Sequence, residues 1–103
     1  MIKRYRNKNF FTKLEVTNTL FVSTQRAKWD FNSIGLALLV ESNDSNDVVQ
    51  YSFDGKEVHG DLTPLLPSEG IIFDNRFENS IWFRRVFAGN AVIVRVEAWR
   101  HDA

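Results

Sequence analysis

The chain contains no cysteine, so neither a disulfide framework nor a thiolate metal site can form. Its two histidines, His59 and His101, lie far apart in the sequence, whereas a zinc site needs three or four suitable ligands close together. No apolar run approaches the roughly 18 residues of a membrane-spanning helix. The basic N-terminus is not followed by the apolar stretch of a signal peptide. We therefore expect no metal, no cofactor and no membrane partner.

The familiar signatures of catalysis are also missing. The sequence has no G-x-S-x-G nucleophile motif and no glycine-rich phosphate loop. We expect both histidines at the surface, His59 on an outward strand face and His101 in the C-terminal tail. Paired carboxylates for glycoside hydrolysis are a spatial feature that sequence does not reveal, but a sandwich of 103 residues leaves little volume for a cleft. We predict no catalytic residues and hence a protein that is not an enzyme.

The composition is that of one globular domain with an uneven charge. Hydrophobic residues make up 44% of the chain, which is enough for a single modest core. Residues 1–13 carry five basic and no acidic residues, so the rest of the chain has eight basic and thirteen acidic residues. A basic segment on an acidic body predicts a tail that contacts another molecule. We predict an N-terminal arm at residues 1–12 and a single domain at residues 13–103.

Three aromatic residues, Tyr5, Phe10 and Phe11, alternate with the basic residues of this predicted arm. The mixture suits an arm laid over a neighbouring subunit, with the aromatic side chains as anchors. It also suits contact with nucleic-acid phosphates and stacking on bases, which we keep as a lesser alternative. A frayed terminus without function is the third interpretation.

Strict alternation of apolar and polar residues predicts a half-buried strand at residues 13–23. Residues 33–41 are apolar on both faces, which predicts a central strand. Residues 24–32 between them are predicted to form a loop. The loop's Trp29 and Phe31 either cap one end of the core or form an exposed contact site.

Two hairpins are predicted from turn signals. Asp54-Gly55 closes a hairpin over residues 48–62, with the Tyr51 ring covering the backbone of Gly60. Gly89-Asn90 closes a second hairpin over residues 80–99, in which Phe83 faces Val96. One side of this second hairpin is apolar apart from Arg85. The other side brings together Trp82, Arg84, Arg95 and Trp99, with Arg84 directly opposite Arg95.

Two connections complete the prediction. Residues 42–47 are rich in oxygen ligands, but Val48 occupies the third ligand position counted from Asp44, so we expect a solvated loop and no calcium site. Residues 63–79 contain two prolines and are predicted to cross between sheets, with a short strand at residues 71–73. The expected fold is all-β, an antiparallel β-sandwich of six to eight strands in Greek-key or jelly-roll style. A small closed barrel is the alternative.

Four short segments resemble small structural proteins of tailed bacteriophages. They are Tyr-Ser-Phe-Asp-Gly at 51–55, Asp-Asn-Arg at 74–76, Ile-Trp-Phe-Arg at 81–84 and Val-Arg-Val-Glu-Ala-Trp at 94–99. The class includes head decoration or cement, adaptor and tail-accessory proteins. The resemblance implies a non-enzymatic β-sandwich that works in the virion as an oligomer, assembled in the host cytoplasm with copies of itself or other virion proteins.

Aromatic and arginine residues outside the expected core are the candidate interface, because Trp, Tyr and Arg are enriched where proteins bind each other. The candidate interface residues are Tyr5, Phe10, Phe11, Trp29, Trp82, Arg84, Arg95 and Trp99. The alternative function is a small carbohydrate-binding module, in which Trp29, Trp82 or Trp99 stacks on sugar rings.

Overall fold

The computed structural model describes residues 6–42, 44, 46–63, 70–74 and 77–102. These residues form eight strands and one short 3₁₀ turn, Ser23–Gln25. The strands are β1 Arg6–Val16, β2 Arg26–Ser33, β3 Gly35–Glu41, β4 Val49–Ser52, β5 Gly60–Leu62, β6 Ile71–Phe73, β7 Glu78–Arg85 and β8 Val92–Asp102. The described part of the chain has no helix long and apolar enough to cross a membrane.

The strands form two antiparallel four-stranded sheets that pack together. Sheet I has the order β1-β8-β3-β6 and sheet II the order β2-β7-β4-β5. Each strand pairs with its mirror image in chain order: β1 with β8, β2 with β7, β3 with β6 and β4 with β5. A long hairpin rolled into two sheets in this way is a jelly roll. The predicted β-sandwich is therefore confirmed, rather than the closed barrel.

The core lies between the sheets and is built from alternate residues of each strand. Phe83 of β7 and Val94 of β8 are both fully buried, although they come from opposite sheets. Burying a side chain of this size contributes about 1.5–3 kcal/mol. The buried hydrophobic residues are Val16, Ala27, Trp29, Leu36, Leu38, Val40, Val49, Tyr51, Leu62, Ile81, Phe83, Val92, Val94, Val96 and Ala98.

The predicted hairpin over residues 80–99 is wrong. Phe83 pairs with Tyr51 in sheet II, whereas Val96 pairs with Thr12 and Leu38 in sheet I. Residues 86–91 therefore cross from one sheet to the other. The apolar side of the prediction does point into the core, except for Phe87, which is 56% exposed. Alternation identifies the buried face of a strand but does not identify its partner, because facing strands and adjacent strands both direct alternate residues inward.

Arg85, the one polar residue on that apolar side, holds this crossing in place. Its side chain is only 3% exposed, and one terminal nitrogen lies 3.0 Å from Oδ1 of Asp47. Its Nε donates to the carbonyl of Phe87 at 2.6 Å, and another terminal nitrogen donates to the carbonyl of Asn90. The buried guanidinium thus binds both the following loop and the loop before β4.

The hairpin of β4 and β5 is confirmed, with its register shifted by two residues. Tyr51 lies directly opposite Gly60 instead of Val58. The turn is wider than two residues because the amide of Phe53 donates to Nδ1 of His59 at 2.9 Å rather than to the opposite strand. A shift of two keeps Val49, Tyr51 and Leu62 on their predicted core side. Val58, predicted on the core side, is 39% exposed, and Ser52, predicted to point outward, is buried. The Tyr51 ring fills the place where Gly60 would carry a β-carbon, as expected.

The N-terminal predictions need correction. Residues 6–12, predicted to form an arm outside the domain, belong to β1 and pair with β8 in unbroken register. The predicted strand at 13–23 accordingly ends at Val16, and Leu20 beyond it is 63% exposed. Residues 1–5, including Tyr5, lie outside the described residues.

The loop predicted at residues 24–32 is also wrong, because most of it forms β2. Ala27, Trp29 and Ser33 are buried, whereas Lys28 and Asp30 are exposed, so the segment alternates as a strand should. β3 has sheet neighbours on both sides, which confirms the predicted central strand. The short strand at residues 71–73 is confirmed as β6, and the chain between β5 and β6 passes from sheet II to sheet I as expected.

Candidate functional site

The four residues predicted to share one face of the last hairpin lie on opposite sides of the sandwich. Trp82 and Arg84 are on the outer face of sheet II, because their neighbours in β7 point into the core. Arg95 and Trp99 are on the outer face of sheet I for the same reason in β8. Arg84 therefore pairs with Gln50 rather than Arg95. The predicted single surface does not exist.

On the outer face of sheet II the predicted residues contact other side chains of the chain. The guanidinium of Arg26 lies over the Trp82 ring at 4.3 Å, and that of Arg84 lies over Phe21 at 4.6 Å. Nε of Arg84 also donates to Oε1 of Gln50 at 2.9 Å. Cation–π contacts at exposed sites contribute about 0.5–1 kcal/mol each. These contacts order the face and cover part of the Trp82 ring.

Trp29 and Phe10 form part of the core edge. Trp29 is 4% exposed, and its indole nitrogen donates to the carbonyl of Glu78 at 3.0 Å. Its ring packs against Phe10, with ring centres 5.3 Å apart. Of the two interpretations of Trp29, the core cap is confirmed and the exposed contact site is wrong. Phe31, beside it, is half-buried against the core.

The outer face of sheet I carries exposed apolar residues on both sides of the charged residues of β8. Cross-strand pairing aligns Phe11, Glu97, Ala37 and Ile72 in one row across β1, β8, β3 and β6. Phe11 is 51% exposed and Ile72 is 66% exposed. Leu39 lies in the adjacent row, opposite Arg95. We call Phe11, Ala37, Leu39 and Ile72 the apolar strip.

A shallow groove runs along the β3–β6 part of the apolar strip and encloses about 190 Å³. Apolar residues and glycine form its floor and walls, and two charged residues of β8 form its border. The lining residues are Ala37, Leu38, Leu39, Gly70, Ile71, Ile72, Arg95 and Glu97. The groove is open, and its polar residues lie along one side only. This arrangement suits an apolar side chain of a partner.

The charged β8 residues Arg95 and Glu97 divide the strip between Phe11 and the residues of β3 and β6, and they bind neighbouring charges. Oε1 of Glu41 lies 3.3 Å from Nζ of Lys13 and 3.4 Å from Nε of Arg95. Arg95 also contacts Glu97 at 3.5 Å, and its guanidinium lies over the Phe11 ring at 5.3 Å. Exposed ion pairs of this kind contribute about 0–1 kcal/mol each. Their main effect here is to hold Arg95 across the strip.

Trp99 ends the strip at the next row. Its cross-strand partner is Gly35, and a β-carbon on Gly35 would overlap the indole. The ring therefore lies against the sheet and remains partly exposed. Of the eight candidate interface residues, the structure brings Phe11, Arg95 and Trp99 together on this face.

A cluster of Asp54, Glu57 and His59 lies in the β4–β5 turn, with potential ligand atoms within 4.8 Å of one another. Nδ1 of His59 accepts the Phe53 amide, so the neutral ring carries its proton on Nε2 and has no free lone pair. Backbone amides of Glu57 and Lys56 and the Ser52 hydroxyl lower the pKa of Asp54 to about 2. These side chains shape the turn rather than present a ready metal site.

The buried polar side chains of the described residues are engaged in structural hydrogen bonds. Oε1 of Gln25 accepts the amides of Thr17 and Asn18 at 2.8 and 2.7 Å, and its Nε2 donates to the carbonyl of Phe83 at 3.0 Å. Gln25 and Arg85 are the structural residues that the sequence interpretation missed. The buried polar residues are Gln25, Ser33, Ser52, Ser80 and Arg85.

Comparison with known proteins finds no family model, no curated protein and no solved structure that matches this chain.

Proposed function

We propose that this chain is a non-catalytic structural or assembly protein that works as an oligomer through protein–protein contacts. The observation that carries the proposal is the apolar strip, which places exposed apolar residues on the outer face of sheet I on both sides of the charged β8 residues Arg95 and Glu97. Exposed aromatic and aliphatic side chains beside an arginine are typical of interaction sites. The contact surface is therefore the outer face of sheet I.

The apolar and the charged residues of this face have different roles in the proposal. Covering the exposed parts of Phe11 and Ile72 contributes on the order of 1–2 kcal/mol each, which favours a lasting contact. The charges of Lys13, Arg95 and Glu97, on the same face, are screened by salt, so they act on association rate and on the choice of partner.

The virion of a tailed bacteriophage is the proposed setting. Its support is the resemblance of four short segments to phage structural proteins and the jelly-roll topology, which occurs in viral capsid proteins. Fold analogy alone does not establish function. The proposed partners are further copies of this chain or other virion proteins.

The carbohydrate-binding alternative has less support. Jelly rolls also occur in lectins, but Trp29 is buried and Trp82 lies beneath Arg26. The ring of Trp99 is partly exposed, and no cation of the described residues packs over it. A sugar-binding site on this chain would therefore depend on Trp99.

Light scattering coupled to size-exclusion chromatography tests the proposal over a range of protein concentrations. We expect the wild-type chain to be larger than a monomer and the double variant Phe11→Ser, Ile72→Ser to dissociate. Phe87→Ser is the matched control, because Phe87 is 56% exposed but lies in the 86–91 crossing. A wild-type chain that stays monomeric throughout, or equal masses in the double variant and the control, contradicts the proposal.

Tryptophan fluorescence titrated with oligosaccharides tests the alternative on the same samples. The assembly proposal predicts no saturable change. A saturable change in a monomeric wild-type chain that is lost in Trp99→Leu would support the carbohydrate module instead.

A further inference from the structure

The two sheets have four edge strands among the described residues, and three of these edges carry features that discourage pairing with another chain. β5 and β6 are only three residues long. β2 has an irregular register with β7 between Lys28 and Ser33, which interrupts its edge. Short, bulged or charged edges are the usual means by which β-proteins avoid edge-to-edge association.

The fourth edge, β1, is neither short nor bulged, and the one protective feature that it carries is charge, at Lys8, Lys13 and Glu15. It has eleven residues, no proline, and an unbroken register with β8 from Arg6 to Val16. β8 is its only partner in the sheet, and none of the loop hydrogen bonds of the described residues involves its other side. Among the described residues its outward backbone amides and carbonyls therefore have no partner, and they form a regular row. Such a row is a template for another strand.

We propose that β1 pairs antiparallel with β1 of a second copy of this chain. The inference rests on the proposed function and adds a second contact between copies, at the edge of sheet I rather than on its outer face. Two identical edges related by a two-fold axis form a closed, self-complementary interface. The resulting sheet would contain the four strands of sheet I from each copy.

The distribution of charge along β1 favours this antiparallel arrangement. Lys8 lies near the start of the strand and Glu15 near its end. Antiparallel pairing centred on Phe11 places both charges opposite uncharged residues of the second copy, Lys8 opposite Leu14 and Glu15 opposite Asn7. Parallel pairing in register would instead place Lys8 beside Lys8 and Glu15 beside Glu15, which is unfavourable.

The register centred on Phe11 pairs all eleven residues of β1. It places Lys13 opposite Asn9 of the second copy and Glu15 opposite Asn7, so no like charges face each other. Registers centred on Lys13 or on Glu15 put like charges directly opposite. The Phe11-centred register also keeps the outer face of one sheet continuous with that of the other, and it buries the two half-exposed Phe11 rings against each other.

Single-cysteine variants test the pairing, because the chain has no native thiol. In Phe11→Cys the two new thiols face each other at a distance compatible with a disulfide. In Lys13→Cys they lie roughly 14 Å apart, since four residues of strand separate them. Phe87→Cys replaces a similarly exposed phenylalanine outside β1, so it measures how much dimer forms by random collision. Under mild oxidation we expect roughly tenfold more disulfide-linked dimer for Phe11→Cys than for the other two variants.

Hydrogen exchange on the wild-type chain supplies a second measurement that needs no substitution. In the dimer, every second amide of β1 gains a partner on its free side, so those amides should exchange more slowly at high than at low protein concentration. Equal cross-linking in all three variants, or β1 exchange that does not depend on concentration, overturns the inference. If light scattering still shows an oligomer, the pairing of β1 is wrong and the proposed function stands. If the chain is monomeric, both fail.

Discussion

The indole of Trp99 lies against Gly35 on the adjacent strand of sheet I, in the space that a β-carbon would occupy. Tyr51 has the same relationship to Gly60 across β4 and β5 in sheet II. In both pairs the aromatic ring covers the exposed glycine backbone, a known means of stabilising a glycine within a sheet. The two glycines are thus required for the space they leave and not for an unusual backbone angle.

Gly35→Ala should therefore destabilise the protein, because the new methyl group overlaps the Trp99 ring. We expect the free energy of unfolding to fall by about 1–3 kcal/mol, the usual cost of overpacking. Urea denaturation followed by circular dichroism measures the change.

The double variant Gly35→Ala, Trp99→Leu is the control for this overlap. Replacing the ring removes the steric conflict, so the double variant should be more stable than the sum of the two single effects implies. Additive effects would show that the ring does not restrict residue 35.

Arg85→Leu should destabilise the fold more than Arg84→Leu. Loss of the buried guanidinium leaves the carboxylate of Asp47 and the carbonyls of Phe87 and Asn90 without their donor. Unsatisfied groups of this kind cost about 1–3 kcal/mol. Arg84 is partly exposed and should cost less than about 1 kcal/mol. Equal unfolding midpoints for the two variants would contradict the structural role of Arg85.

The stability of the protein should depend on pH in the acid range. Three hydrogen bonds lower the pKa of Asp54 from the ordinary value of 3.8 to about 2. The Ser42 hydroxyl and, next, Arg85 lower the pKa of Asp47. A carboxyl whose folded pKa is depressed stabilises the folded state above its unfolded pKa, and this contribution is lost as the pH falls through the folded pKa. Unfolding midpoints in urea should therefore decrease between about pH 4 and pH 2.

Asp54→Ala isolates one carboxylate from the rest of this acid response. The variant should be less stable than wild type near neutral pH, and the difference should shrink as the pH falls through about 2. A difference that stays constant over this interval would mean that the Asp54 carboxylate does not hold the turn.

Val94→Asp and Phe83→Asp should each abolish folding, whereas Arg84→Asp should not. Both apolar residues are 0% exposed, and each variant places an unpaired charge between the sheets. The penalty is several kcal/mol against a total stability of roughly 5–15 kcal/mol. Circular dichroism distinguishes the outcomes. A folded Val94→Asp together with an unfolded Arg84→Asp would invert the assignment of inward and outward faces.

The faces of the strands could be predicted from the sequence, but several of their partners could not. The inward residues of β7 and β8 alternate in the same way whether the strands are adjacent or face each other across the core. Gly89-Asn90 suggested adjacency, since a tight hairpin turn uses positive φ angles. Among the described residues only Gly55 has a positive φ, so the 86–91 segment does not form such a turn.

The candidate surface was predictable only in part, because it also depends on which strands pair. Phe11, Arg95 and Trp99 could be selected by residue type, but Ala37 and Ile72 join them only through the pairing of β3 with β8 and β6. β2 was missed because its outward residues are charged, and charge in a short segment resembles a solvated loop.

The mirror pairing of strands sets how the chain must fold. The first and last strands are neighbours, so the contacts of sheet I join residues that are far apart in sequence. Chain segments with such separations lose much entropy before their contacts form, which places proteins of this topology among those that fold in milliseconds to seconds. Among the described pairings, that of β4 and β5 is closed by a short connection, and it alone can form early. Neither sheet is a continuous piece of chain, so no fragment from either half can fold alone, and unfolding should be a single cooperative event.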